Sequence, residues 1–238
     1  MKRLIVSLLI LSNSIFASLP WELDSTYATY IMDTDYFYMT LLPENYPVVV
    51  GVIGSGVEPG VIDDFLYVNS NEIANNGVDD DGNGIIDDVS GARFYFDGNY
   101  NLLKSGLNMA DESIHEEGHE TQVASIIASQ QLLADKPMVF GVSYKPDKIK
   151  ILPIQFYTED NVLYDSRQAE ATNYAVSMNV DLITASYGDY DQQQIVPDAY
   201  ERMLNHGIEI VASAGNNSKT FAYYPCAYDR AICVGGVI

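Results

Sequence analysis

Apolar positions along the chain fall into two alternating patterns. Val48-Val49-Val50-Gly51-Val52-Ile53 is an unbroken, mostly β-branched run that stops at Gly54-Ser55-Gly56. A run with no polar alternation is the mark of a strand buried on both faces, as in a parallel sheet. Further runs of the same kind recur at Val139–Tyr144, Lys148–Phe156 (with Pro146 just before it), Asp181–Ala185, Ile208–Ser213 and Ala231–Val234. Between them the period changes. From His119 onward, Val123, Ile126 and Ile127 alternate with small Ala124, Ser125 and Ala128, as in a helix packed closely on most sides. Ala169, Thr172, Ala175 and Val176 give a second helix over about 165–178, and a third over about 197–205 is closed by Gly207. Strands alternating with helices predict an α/β fold, doubly wound, with a mostly parallel sheet and helices on both faces. No internal repeat, low-complexity tract or linker interrupts this order.

Composition narrows the setting. The 238 residues are 47% hydrophobic, a globular composition. Met1-Lys2-Arg3, the apolar run Leu4–Leu11 and the small Ala17 read as a signal peptide over 1–17 that is removed on export, with an uncleaved anchor as the alternative. Residues 18–47, aromatic and broken by Pro20, Pro43 and Pro47, read as an N-terminal arm before the domain at 48–238. Cleavage removes Lys2 and Arg3 and takes the net charge from −21 to −23. Such a chain repels nucleic-acid phosphates and anionic membranes, so no nucleic-acid or membrane partner is expected after cleavage. A secreted or periplasmic location follows. Cys226 and Cys233, with six residues between them, can close a local disulfide there; two free buried thiols are the alternative.

One polar stretch carries candidate metal chemistry. In Asp79-Asp80-Asp81-Gly82-Asn83-Gly84-Ile85-Ile86-Asp87-Asp88, oxygen side chains fall at loop positions one, three, five and nine (Asp79, Asp81, Asn83, Asp87). Gly84 stands at six, where such a loop turns sharply, and Ile86 at eight can anchor it. Alternate residues point inward at this spacing, as calcium requires. Ser90 at twelve replaces the usual bidentate acid, which lowers the affinity or leaves ligands to come from elsewhere. An acidic Asn/Gly turn without metal is the competing reading.

Three sites then line up at strand ends or helix starts: Gly54-Ser55-Gly56, His119, and Ala214-Gly215-Asn216. With Val50–Val57, Gly118-His119-Glu120-Thr121-Gln122-Val123-Ala124, Ile183–Gly188 and Val211–Asn216 in this order, the chain resembles the subtilisin-like serine proteases over about residues 20–238. Trp21-Glu22-Leu23 is similar to the family's arm, and Tyr224-Pro225-Cys226 through Val234-Gly235 to its later strand and turn. The resemblance implies a general base at His119 and an oxyanion donor at Asn216. It implies two walls of a substrate pocket, Ser186-Tyr187-Gly188 and Ser213-Ala214-Gly215, with an extended peptide or protein substrate in the groove.

The departures are as informative. Where the family has the aspartate that orients the histidine, this chain has Gly54. An imidazole without that acid can take the wrong tautomer, which costs about 10⁴ in turnover in the serine-protease example. Glu120 follows His119 directly, and adjacent helix residues are expected to point apart, so it is not expected to substitute. Gln122 replaces the family's second histidine, and the nucleophile motif Gly-Thr-Ser-Met-Ala is absent. The expectation is a secreted subtilisin-like endopeptidase domain lacking its C-terminal part and catalytically inactive as written. The alternative is a calcium-stabilised, non-catalytic peptide-binding pseudoprotease. A zinc site at His115 and His119 with Glu116 is disfavoured because Gly118 breaks the helix such a pair needs, and His206 reads as a helix C-terminal cation.

Overall fold

The computed structural model describes residues 47–58, 60, 62–106, 118–128, 130–131, 139–140, 146–157, 162–217 and 221–236. The expected signal peptide, the arm up to residue 46, and His115 lie outside these residues. The continuous apolar run forms β1 (Val48–Gly54). It is followed by a short 3-10 turn at Asp63–Phe65, the hairpin β2 (Ala92–Phe96) and β3 (Leu102–Gly106), and helix α1 (His119–Ile127). Then come the two-residue strands β4 (Gln130–Gln131) and β5 (Val139–Phe140), β6 (Ile149–Gln155), α2 (Asp165–Ser177) and β7 (Leu182–Ala185). The described chain ends through α3 (Ile195–Asn205), β8 (Glu209–Ser213) and β9 (Ile232–Val234).

Seven strands form one sheet in the order β3-β2-β6-β1-β7-β8-β9, and only β3 runs antiparallel to its neighbour. β1 lies at the centre, paired in parallel with β6 (Gly54 opposite Gln155) and with β7 (Ile53 opposite Ala185). Side chains on successive residues of these strands enter opposite layers. Val50 and Val52 join Ile151, Leu182 and Val211 in a core covered by Val123, Ala124 and Ile127 of α1 and by Phe65. Ile53 joins Leu152, Ile154, Ile183 and Ile210 in the other core, covered by Ala171, Tyr174 and Ala175 of α2 and by Val196, Tyr200 and Met203 of α3. Burial on both faces is why these strands carry no polar alternation.

The expected helices and central strands are present, with α3 starting two residues earlier than its pattern. Of the strand expected at Val139–Tyr144, the described part is β5, which pairs with β4 outside the main sheet. The β2–β3 hairpin was missed. Its Lys104 and Ser105 are polar edge residues, and only Ala92, Phe94 and Gly106 are buried, so no long apolar run announces it. Among the described residues no helix is long and apolar enough to cross a membrane.

After β6, to one side of β1, the chain crosses to β7 on the other side. Such a reversal opens a crevice beyond the carboxyl ends of the strands. Gly54, Ser186 and Ala214 follow there on β1, β7 and β8 in that spatial order. The core beneath it fixes their placement. Ile154, fully buried in the core covered by α2 and α3, should on replacement by Ala lose about 2–5 kcal/mol of unfolding free energy, read from the denaturant midpoint.

Candidate active site and acidic loop

The carboxyl end of β1 is held from two sides. The Gly54 carbonyl accepts N–H bonds from Phe156 (3.0 Å) and Tyr157 (3.1 Å), and Gln155 Nε2 donates to the Ser55 carbonyl at 2.8 Å. The loop after it is tied to α1, because Glu58 N–H donates to Thr121 Oγ1 at 2.9 Å. Gly118 caps α1 with φ 72°, a left-handed conformation that an L side chain rarely adopts. His119 is thereby the first helical residue, half-buried at the head of an element fixed to β1.

Glu120 does not point away from His119. Its Oε2 lies 2.7 Å from His119 Nδ1, within charge-assisted hydrogen-bond range. Glu120 is only 4% exposed, and its carboxyl group occupies the space beside Gly54. A Cβ built on Gly54 would stand 1.9 Å from Glu120 Oε1 and 2.6 Å from Cδ. The expectation of divergence fails for a geometric reason. Cβ directions on a helix do separate at i and i+1, but Glu has two further carbons to turn back with, and the glycine leaves a void to receive it. The Glu120 charge also reaches the Ser186-Tyr187-Gly188 wall: it is one cause of the upward shift of the Tyr187 hydroxyl, after burial and the neighbouring Tyr200.

The two expected walls stand close together. Tyr223 lies between them, such that a Cβ on Gly188 would meet its ring at 2.5 Å and a Cβ on Gly215 would meet it at 3.0 Å. Asp189 and Tyr224 exchange backbone hydrogen bonds (2.9 and 2.8 Å), fixing this ring's segment alongside β7's exit. Tyr190 packs against Tyr223 with centroids 5.1 Å apart and ring planes tilted by 56°. Tyr187, half-buried, shares a 2.7 Å hydroxyl contact with Tyr200 of α3. On the far side, Gly215 at φ 80° donates to Ser213 Oγ (3.1 Å), Ala214 N–H donates to the Val234 carbonyl (2.8 Å), and Asn216 is exposed just beyond. Cys226 and Cys233 are bonded to each other as a disulfide that links Tyr223's loop to β9. Sequence reasoning missed Tyr223. It sits just before Tyr224-Pro225, whose match in order was the available signal, but nothing local shows that its ring folds back between two glycines.

The acidic loop is folded by its own side chains. Asp79 accepts N–H bonds from Gly82 (2.8 Å), Asn83 (3.1 Å) and Gly84 (2.9 Å), and Asp87 accepts from Asn76 (3.0 Å) and Gly77 (3.2 Å). Of the expected ligand residues Asp79, Asp81, Asn83 and Asp87, only Asp81 joins a cluster of carboxylates, together with Glu72 and Asp88. Asn83 instead donates its amide to Asp81 (3.1 Å) and Asp88 (2.9 Å). Glu72 is 8% exposed and Asp88 fully buried, and one oxygen of each, Glu72 Oε2 and Asp88 Oδ1, has no hydrogen-bond partner among the described residues. Each partner oxygen is satisfied: Glu72 Oε1 by the Asp80 and Asp81 N–H groups, Asp88 Oδ2 by Asn83 and by Tyr174 Oη at 2.7 Å. Two orphaned buried carboxylate oxygens facing a third acid suit a hard divalent cation.

Comparisons with known proteins agree with this architecture. A family model described as the Subtilase family matches residues 47–238. The chain is 28% identical over 119 residues to the thermophilic serine proteinase of Bacillus sp. (strain AK1), covering 50% of this chain and 28% of that protein. It is 28% identical over 153 residues to the major intracellular serine protease of Bacillus subtilis (strain 168), covering 58% and 45%. It thus spans less than half the length of either relative. The crystal structure of fervidolysin from Fervidobacterium pennivorans, a keratinolytic enzyme related to subtilisin, superposes with a TM-score of 0.50 at 19% identity, over 79% of this chain and 24% of that one.

Burial raises Asp88 above the ordinary carboxyl value of 3.8, aided by the Asp81 and Glu72 charges and opposed by the Tyr174 and Asn83 hydrogen bonds. A raised folded value means that protonated Asp88 contributes stability below pH 3.8, and that this is lost as pH rises through the folded value. In chelator, Asp88→Asn should therefore melt higher than the parent at neutral pH, and the advantage should vanish below pH 3.8 in thermal scans.

Proposed function

The chain belongs to the subtilase family, and we propose that it forms the general-base, oxyanion and substrate-wall portion of a subtilisin-like serine endopeptidase site. The carrying observation is that Gly54, Ser186–Gly188 and Ser213–Asn216 stand at the carboxyl ends of adjacent parallel strands β1, β7 and β8, with His119 at the head of α1 joined to Gly54 through Glu120. In this reading His119 Nε2 takes the proton of a serine hydroxyl, and the Asn216 amide donates to the developing oxyanion. No serine among these residues is assigned as the nucleophile, so the hydroxyl of a serine-bearing segment added to them is required. An extended peptide lies between the two walls, with the side chain beside the scissile bond directed at Tyr223, whose ring against Gly188 and Gly215 would favour small residues. Export fits the apolar leader and the disulfide.

The test is peptide titration together with labelling by a fluorophosphonate serine probe. The 238-residue chain should bind extended peptides saturably, preferring Ala over Phe at the position facing Tyr223, and Tyr223→Ala should reverse the preference. The chain alone should take up no probe, and the chain with a serine-bearing segment should be labelled. Absence of saturable binding would sink the reading. Binding with no labelling in the completed protein would favour the non-catalytic pseudoprotease.

We further propose that Glu72, Asp81 and Asp88 hold a structural calcium ion, the Asp79 and Asp87 carboxylates shaping the loop around it. The ion would offset mutual repulsion among three acids and satisfy both orphaned oxygens. Calcium at about a hundred times its dissociation constant should raise the melting temperature by roughly 5–10 °C over the chelated protein. Asp88→Asn should abolish most of that increment; an equal increment in the variant would refute the assignment.

A further inference from the structure

Gly54 and Glu120 are complementary. Charged side chains are almost never fully buried unless paired, and Glu120 is both buried and placed against an imidazole. Three of its atoms (Oε1, Cδ and Cγ) are the nearest neighbours of the missing Gly54 Cβ, all within 2.7 Å of it. The same volume cannot hold a side chain from β1 and the carboxyl of Glu120. A bland account, an acid in the first turn of α1 stabilised by the helix dipole, explains an exposed glutamate but not one turned inward onto a strand glycine.

The adjacency also selects the ring nitrogen. Nδ1 is the nitrogen nearer the backbone, so a carboxylate tethered at the next residue meets Nδ1 and leaves Nε2 directed elsewhere. A carboxylate on Nδ1 holds the proton there, keeps Nε2 unprotonated as the base, and stabilises the imidazolium once Nε2 has taken a proton. Resting on the reading of His119 as general base, we propose that Glu120 is its positioning acid, moved from the end of β1 to the head of α1, with Gly54 providing the space it occupies.

The test is nitrogen-15 NMR of the three histidines in the 238-residue chain, with His119 assigned by His119→Ala. Tautomer state is read from the ring shifts, and folding from circular dichroism. His119 should be predominantly Nδ1–H in the parent protein, with a low-field Nδ1 proton. Glu120→Ala should lose that predominance while the fold remains. Adding Gly54→Asp to Glu120→Ala should restore it, because the acid then reaches the same nitrogen from the strand; a glutamate serving structure alone gives no such rescue. Should Glu120→Ala fail to fold, the parent and double-variant spectra decide. Predominant Nε2–H in the parent, or an unchanged tautomer in folded Glu120→Ala, overturns the proposal. The readout needs no turnover. The tautomer result with failed peptide binding leaves the positioning role intact and removes the protease reading, while binding without the tautomer result does the reverse.

Discussion

The central strand β1 is clamped between two parallel neighbours, and most of the crevice geometry derives from that. β6 and β7 fix its register along both edges, two buried layers fix its faces, and the Gly54 carbonyl is held by two N–H groups at its end. A strand so constrained cannot shift to accommodate a misplaced helix. The helix must conform to it, and α1 does so through Val123, Ala124 and Ile127 below and the Thr121–Glu58 hydrogen bond above. His119 is therefore placed by the sheet, and its ring is held by Glu120.

Much of this was legible in the chain because it rests on periodicity. Both-face burial leaves unbroken apolar runs, and four of the parallel strands, β1, β6, β7 and β8, lie within about a residue of where those runs stand. The hairpin β2–β3 was not legible, since an edge strand that buries few side chains has no such signature. That His119 heads a helix, and that Asn216 and the two expected walls stand at strand ends, could be read because motif order tracks strand order. Glu120 could not, because the rule that neighbours on a helix diverge concerns Cβ vectors. Where a long side chain ends depends on which volume is vacant, and the vacancy belongs to a residue 66 positions earlier. Tyr223 was hidden for the same reason: its location is decided by two distant glycines.

The acidic loop shows a different limit. Spacing alone nominated alternate oxygen residues, yet several of these carboxylates are consumed by turning the backbone, a role Asp and Asn fill readily in tight loops. The residues left with unsatisfied oxygens, Glu72 and Asp88, lie at the margins of the motif and are identified by burial. The anchoring of Asp88 to the body of the protein through Tyr174 of α2 makes the loop's charge balance part of the core's stability.

The mutual exclusion at Gly54 and Glu120 also bears on how such a site can change over time. An acid on the strand and an acid on the helix compete for one volume, so neither substitution is neutral in the presence of the other's original residue. A lineage moving between the two arrangements passes through a state with both acids crowded together or with none. Once crossed, the barrier works in reverse. Carboxylate and imidazole then stand on consecutive residues of one peptide, inherited together, and no later drift in strand-to-helix spacing can separate them.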